Sequence, residues 1–379
     1  MIPFRARPPR LFRVRGNAVA PYVRAARVIV AFALAASAVG AQQGSGGNGT
    51  LYYGSYDKKV LVIDEATMAV RDSLPVAIGI PIGLTLSMDR TRLYAIDPTF
   101  EWVETFDVAS RKSLGKFTLS EGRTHVRMNG FNVDPLDRFA ILMVKSSTKR
   151  ADRWEIGKNT LLRYDLAKRA VTDTIPWPDG TEREFAQILF SPDGAFLYFF
   201  TDEDVLVLDA RTLKQVDKWD LQRSVDDGLG NWNFGFPESL YEEKGFSTGL
   251  FRTTDPVNHR SMMGVARVDL ARRTVDFYSL GPSERVGFAL APGRKRAYGL
   301  RSQVGEYQFW EFDLENRRVV QRVEFEGRPR MGLTVSTNGS QLYVHVAGAT
   351  IDIYDAQTLK YVRTATFRAD MTDLIVVPR

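Results

Sequence analysis

The chain of 379 residues contains no cysteine and only three histidines. Without a thiol, disulfide frameworks, zinc–cysteine sites, cysteine nucleophiles, covalent haem attachment and cysteine-anchored lipidation are all excluded. His125, His259 and His345 stand far apart with no metal-ligand spacing, so no histidine metal centre is expected. A G-x-S-x-G elbow, a P-loop and a G-x-G-x-x-G turn are also missing. No catalytic residue, metal or cofactor is therefore expected of this chain in isolation.

A basic surplus on the folded part is missing too, although the formal charge is +6. Residues 1–41 hold seven arginines and neither lysine nor acid, and without them 44 basic residues face 45 acidic ones. The remainder is close to neutral, which removes the basic face that nucleic-acid binding requires. Long hydrophobic runs are scarce as well. The apolar stretch at residues 28–41 (VIVAFALAASAVGA) is shorter than the roughly 20 residues a membrane-crossing helix needs. With a basic region before it and short side chains at Val39 and Ala41, it reads as a secretory signal cleaved after Ala41. The alternatives are an uncleaved anchor or a start codon assigned too far upstream. The expected destination is periplasmic or secreted, and no twin-arginine pair is present. Residues 42–50 (QQGSGGNGT) read as a flexible Gly/Ser spacer.

What is present is a repeat. Two or three apolar residues, an aspartate, a short polar turn and a second strand recur at Asp64, Asp107, Asp165, Asp209, Asp269, Asp313 and Asp355. An offset motif, strand, tight turn and strand, recurs in LTLSMDRTRLYAI, FNVDPLDRFAILM, ILFSPDGAFLYFF, FALAPGRKRAYGL and LTVSTNGSQLYVH. FPESLYEEKGFSTGL, from Phe236, is a degraded copy. Pro-Asp-Gly, Pro-Gly and Asn-Gly are turn sequences, so each line predicts a hairpin. Four strands every 40 to 60 residues, seven times, predict an all-β, seven-bladed propeller over residues 51–379. LIVVPR at the C-terminus supplies an inner strand with no blade after it, whereas LYYGSY at Leu51 starts at a second strand. Their pairing is expected to close the ring and remove two exposed sheet edges. The repeated aspartates are expected to cap turn N–H groups rather than to do chemistry.

The SPDG-x-x-LY hairpin from Ser191 to Tyr198, its relatives at Leu93-Tyr94 and Leu342-Tyr343, and the D-x-x-T turns at Asp209 and Asp355 resemble YVTN-type seven-bladed propellers. That group is similar to the heavy or β subunits of quinoprotein amine dehydrogenases. The resemblance implies a scaffold that could stand beside a small cysteine-rich subunit carrying a quinone. Lactonases and cell-surface proteins share the same architecture, and fold alone does not choose among them.

Candidate recognition residues lie where an outer strand leads to the next inner one. Arg127, Arg183, Arg285 and Arg330 each precede a small residue there, and four guanidinium groups near the axis would suit a carboxylate, a phosphate or an acidic partner surface. The competing expectation is inter-blade pairing with Glu121, Glu182, Glu184, Glu284 and Glu326. His125 lies in one of these loops and could exchange a proton with an acid. Residues 145–159, 222–236 and 252–263 read as insertions that would carry specificity. Trp154 and Trp232 within them are candidate interface anchors. The leading expectation is an exported binding propeller for a protein partner or small anionic ligand. An amine dehydrogenase scaffold subunit and a lactonase-like hydrolase are the alternatives.

Overall fold

All seven repeat aspartates accept a hydrogen bond from the backbone N–H three residues on, from Thr67 after Asp64 to Thr358 after Asp355, at 2.6–3.1 Å. The carboxylate replaces the ladder partner that the chain loses where it reverses. A second device closes the other hairpin. The hydroxyls of Ser87, Ser191 and Ser336 donate to Asp89, Asp193 and Asn338, and these accept from the N–H two residues further on. The alternation of these two turns is the physical content of the sequence repeat.

The computed structural model describes residues 45–221, 230–237, 239–255, 257, 259–345 and 348–379. Their strands form seven four-stranded antiparallel sheets, the blades of a β-propeller. Blade one comprises Met371–Val377, Thr50–Ser55, Lys59–Asp64 and Ala69–Pro75. Blades two to seven occupy residues 83–118, 124–175, 188–220, 230–282, 289–324 and 332–366. The last strand of the chain pairs with the first, Thr50 opposite Val377 and Tyr53 opposite Leu374, so the ring closes as the sequence predicts. The secretory signal expected at residues 1–41 lies outside the described residues.

Apolar side chains fill the spaces between blades. Val60 and Val62 of blade one cluster with Leu93 and Phe106 of blade two. Ile141 and Leu161 of blade three cluster with Phe199 and Leu206 of blade four. A single blade has two apolar faces and no interior of its own, so burial needs a neighbour on each side. Each turn after a repeat aspartate also places one residue in the left-handed region: Met68, Arg111, Arg169, Leu213, Arg273, Arg317 and Leu359. Met68, Leu213 and Leu359 pack into inter-blade clusters. The four arginines reach back to the preceding blade's outer strand.

Several local expectations are corrected. Residues 145–159 and 252–263 are not insertion loops. They belong to long second and third strands, Phe139–Lys149 with Trp154–Asp165 and Phe246–Asp255 with Arg260–Asp269. Of residues 222–236, the described part contains Gly230–Gly235, the innermost strand of blade five. The degraded hairpin from Phe236 is a longer connection that crosses the ring. Arg90 of blade two donates to the Leu240 carbonyl at 3.1 Å, and the Tyr241 hydroxyl donates to the Val335 carbonyl of blade seven at 2.8 Å. A tight turn could not reach both, which is why the turn signature is missing. Ser45 to Thr50 are held rather than free. Asn338 donates to the Ser45 carbonyl, and the Gly49 N–H donates to the buried Glu65 carboxylate at 2.7 Å. Gly46 lies so close to the Tyr343 hydroxyl that a Cβ would stand 1.9 Å from it.

Candidate functional site

In an antiparallel blade, the second-to-third strand hairpins and the connections to the next blade fall on one face. This mouth face holds most of the sequence-predicted residues. Arg127 is on the long inner strand Thr124–Val133, exposed, with its guanidinium 4.6 Å from the Phe100 ring centre. Arg285 and Arg330 are exposed and have no ion pair or side-chain hydrogen bond among the described residues. Arg330 adopts a positive φ of 63°, which turns the chain sharply before Met331 and Gly332. Arg183 differs. It forms a two-pronged pair with Asp179 at 2.6 and 2.8 Å and donates to the Thr181 carbonyl, so it braces its own loop.

None of the four arginines pairs with the five glutamates that the sequence places beside them. Glu284 takes Arg301 at 3.3 Å, and Glu182 takes the backbone and side-chain amides of Asn159. The sequence did not single out Arg301 or Arg328. They satisfy acids because both are bound into strand ends, Arg328 reaching Asp352 at 3.0 Å and Thr350. His125 meets Glu101 at 3.0 Å, and Glu101 also accepts from the Ser120 hydroxyl. This is a histidine–carboxylate pair on an exposed rim. Its imidazole lies 5.8 Å, centre to centre, from Trp154.

Trp154 is half exposed beside the turn of the projecting hairpin, opposite Lys149. Trp232 is not. It is 2% exposed on the innermost strand of blade five, with its ring 5.3 Å from Phe251 and 5.0 Å from Phe277. Its strand was mistaken for a loop, and an inner strand turns alternate side chains into the inter-blade core. Around the mouth face stand Tyr56, Trp154, Ile156, Phe185, Val257 and Val304, all large, apolar and exposed. Val257 and Val304, at 80% and 84%, are the extremes of the described chain. Among the described residues, eight other exposed large apolar side chains lie on outer strands, such as Leu114 and Tyr361, or on the opposite hairpins, such as Met88 and Leu136. What distinguishes the mouth face is that its apolar side chains share it with arginines.

Towards the face opposite the mouth, the inner strands line an axial pocket of about 270 Å³. Leu84, Leu290, Leu333 and Leu374 line it, with the Tyr241 connection at its side. Its polar side chains are Ser239, Tyr241, Thr334 and Asp373. All four are engaged: Ser239 accepts the Tyr241 N–H, the Tyr241 hydroxyl donates to the Val335 carbonyl, Asp373 accepts the Leu84 N–H at 2.8 Å, and Thr334 meets the buried imidazole of His345 at 2.9 Å. Burial pushes the Asp373 carboxyl above the usual carboxylate range, against the pull of the Leu84 and Leu374 N–H groups. Among the described residues no group of three or more histidines and acids could hold a metal ion.

No protein-family model matches this chain, and a search of curated proteins finds no match. Solved structures match in fold. A functionally unknown protein from Desulfotomaculum acetoxidans aligns at TM-score 0.54 and 12% identity, over 87% of this chain and 99% of its own. The β-propeller domain of Swd1 from Myceliophteria thermophila aligns at 0.51 and 14%, over 80% and 91%. Apo AztD from Citrobacter koseri aligns at 0.50 and 14%, over 86% and 97%. At such identities the likeness is one of architecture alone.

Proposed function

We propose that this chain is an exported binding propeller that acts by recognition and receives a protein partner on its mouth face. The observation that carries this reading is the set of exposed apolar side chains that shares the mouth face with Arg127, Arg285 and Arg330, whose guanidinium groups have no carboxylate partner among the described residues. Apolar anchors with nearby arginines are the composition of protein interfaces, and the guanidinium groups would select a partner that presents carboxylates. The axial pocket serves the closure of the ring, because its polar side chains already hold its walls together.

The test is a pull-down of the tagged chain from the extracytoplasmic fraction of its host, followed by titration of the recovered partner. Arg285→Ala with Arg330→Ala, and separately Trp154→Ala, are each expected to weaken the complex about tenfold or more, as interface anchors do. Undiminished affinity in both the double variant and Trp154→Ala would remove the mouth face as the docking surface. A stoichiometric cysteine-rich subunit with a quinone absorption band would identify the partner as that of an amine dehydrogenase scaffold. Saturable binding of a small anion with no protein partner would turn the reading to a small ligand.

A further inference from the structure

Four blade junctions use an arginine in the left-handed turn position, and three of them complete an ion pair with the preceding blade. Arg111 meets Asp72 at 2.6 Å, Arg317 meets Asp276 at 2.7 Å, and Arg273 meets Asp217. Asp72 stands eight residues beyond Asp64, Asp217 eight beyond Asp209, and Asp276 seven beyond Asp269. The residues seven and eight beyond Asp107 are Leu114 and Gly115, so neither offers Arg169 a carboxylate. Its guanidinium donates to the Leu114 carbonyl instead and lies over Gly115, where a Cβ would come within 2.7 Å of Nη1.

Beside this incomplete junction is a groove of about 250 Å³ between blades two and three, on the face opposite the mouth. Phe117 and Tyr164 stack in its wall with ring centres 4.1 Å apart. Tyr164 is 2% exposed, and its hydroxyl has no hydrogen-bond partner among the described residues. A buried hydroxyl left unpaired is costly, and it offers a donor to an acceptor placed beside it. Arg92 in the same groove is compensated by Asp137 at 3.5 Å. The ammonium of Lys116 turns away from the groove, to the Ala77 carbonyl and the Trp102 ring on the blade-one side of its strand. Arg169 is thus the cation of this groove that has no acid among the described residues, beside an unpaired phenol and an apolar wall.

We propose that this groove binds a short-chain monocarboxylate. Its carboxylate takes the place on Arg169 of the aspartate that the other three junctions supply and accepts from the Tyr164 hydroxyl, while its alkyl part lies against Phe117. Nothing in this assignment depends on the mouth face being a docking surface.

The test is isothermal titration of the full chain with butyrate, with 1-butanol and inorganic phosphate as comparison ligands. Saturable one-to-one binding of butyrate is expected, with little or none for the other two. Arg169→Gln and Tyr164→Phe should each weaken it about tenfold or more, the scale of a hydrogen bond to a charged group. Arg111→Gln, at a complete junction, should leave it unchanged. Thermal melting establishes that each variant is folded, and Tyr164→Phe, which removes one oxygen, decides the matter if Arg169→Gln does not fold. Absence of saturable binding, equal binding of phosphate, or full affinity in a folded Tyr164→Phe or Arg169→Gln chain would overturn the proposal.

Discussion

A chain that ends at Ala369 is expected to lose its cooperative melting transition. The segment removed contains Met371–Val377, the innermost strand of blade one, which pairs along the whole length of Thr50–Ser55. Met371, Leu374 and Val376 are almost fully buried in the core between blades seven and one. At about 1.5–3 kcal/mol for each buried apolar side chain, their loss alone is of the order of 5–9 kcal/mol. That equals or exceeds much of the 5–15 kcal/mol by which a domain is typically stable. Two clasps between blades go with it: the Thr372 hydroxyl on the Pro81 carbonyl, and the Leu84 N–H on Asp373. The truncated ring would also present unpaired strand edges at its gap, which invites association between copies. Thermal melting by circular dichroism and size-exclusion chromatography are the measurements. A broad, non-cooperative melt with oligomers in the truncated chain is expected, restored in part by adding the missing strand as a peptide. A monomer that melts sharply within a few degrees of the full chain would show that the ring does not depend on this closure.

Stability is expected to fall between about pH 6.5 and pH 4 by an amount of the order of 3 kcal/mol that belongs to one residue, His345. The imidazole is buried, its Nε2 is 2.9 Å from the Thr334 hydroxyl, and its Nδ1 has no partner in the structure described. Gly332 lies against the ring, where a Cβ would stand 2.7 Å from Cε1, so the imidazole packs directly on the backbone of the inner strand. Burial therefore disfavours the imidazolium and pushes the pKa down from 6.5 to about 4. In the unfolded chain the same ring takes a proton near pH 6.5. The unfolded state then binds more protons throughout the interval, and stability is lost as pH falls through it, with no penalty above it. Asp373 shifts in the opposite sense, its carboxyl raised by burial, so the raw profile mixes the two. The difference between the wild type and His345→Gln isolates the histidine, since glutamine keeps a polar partner for Thr334 and does not titrate. Urea midpoints at pH 7.5, 6.0, 5.0 and 4.5 should show the two chains converging, or crossing, as the pH falls. Parallel profiles would mean that the imidazole is protonated without penalty in the folded state.

Much of the architecture was legible before any coordinates. An aspartate that caps a turn must recur wherever the same turn recurs, so seven aspartates announced seven third-to-fourth strand hairpins, and all seven accept the same N–H. The orphan strand at the C-terminus announced the closure. Blade five was harder to read, because Trp232 and Phe234 sit next to glycines and asparagines that resemble a loop. Its inner strand is defined by pairing with Phe246–Asp255, which is remote in sequence. The projecting hairpins of blades three and five were likewise read as insertions, because strands that leave the blade lose the apolar alternation that marks them.

The candidate sites divide along the same line. Arg127, Arg285 and Arg330 were read from their place in the repeat, whereas the left-handed turn positions of Arg111, Arg169, Arg273 and Arg317 were not singled out. Which of them would find a carboxylate did not follow. Arg183 pairs with Asp179 within its own loop, and Arg169 is left facing a glycine, because each partner is set by the register between neighbouring blades. The sequence by itself determined the number of blades, the turns and the ring closure, since these arise from local hydrogen bonds that repeat with the chain. Only the tertiary structure decided which charges are compensated, that Trp232 is core and that His345 must be neutral, since compensation and burial depend on groups that meet across blades from distant parts of the chain.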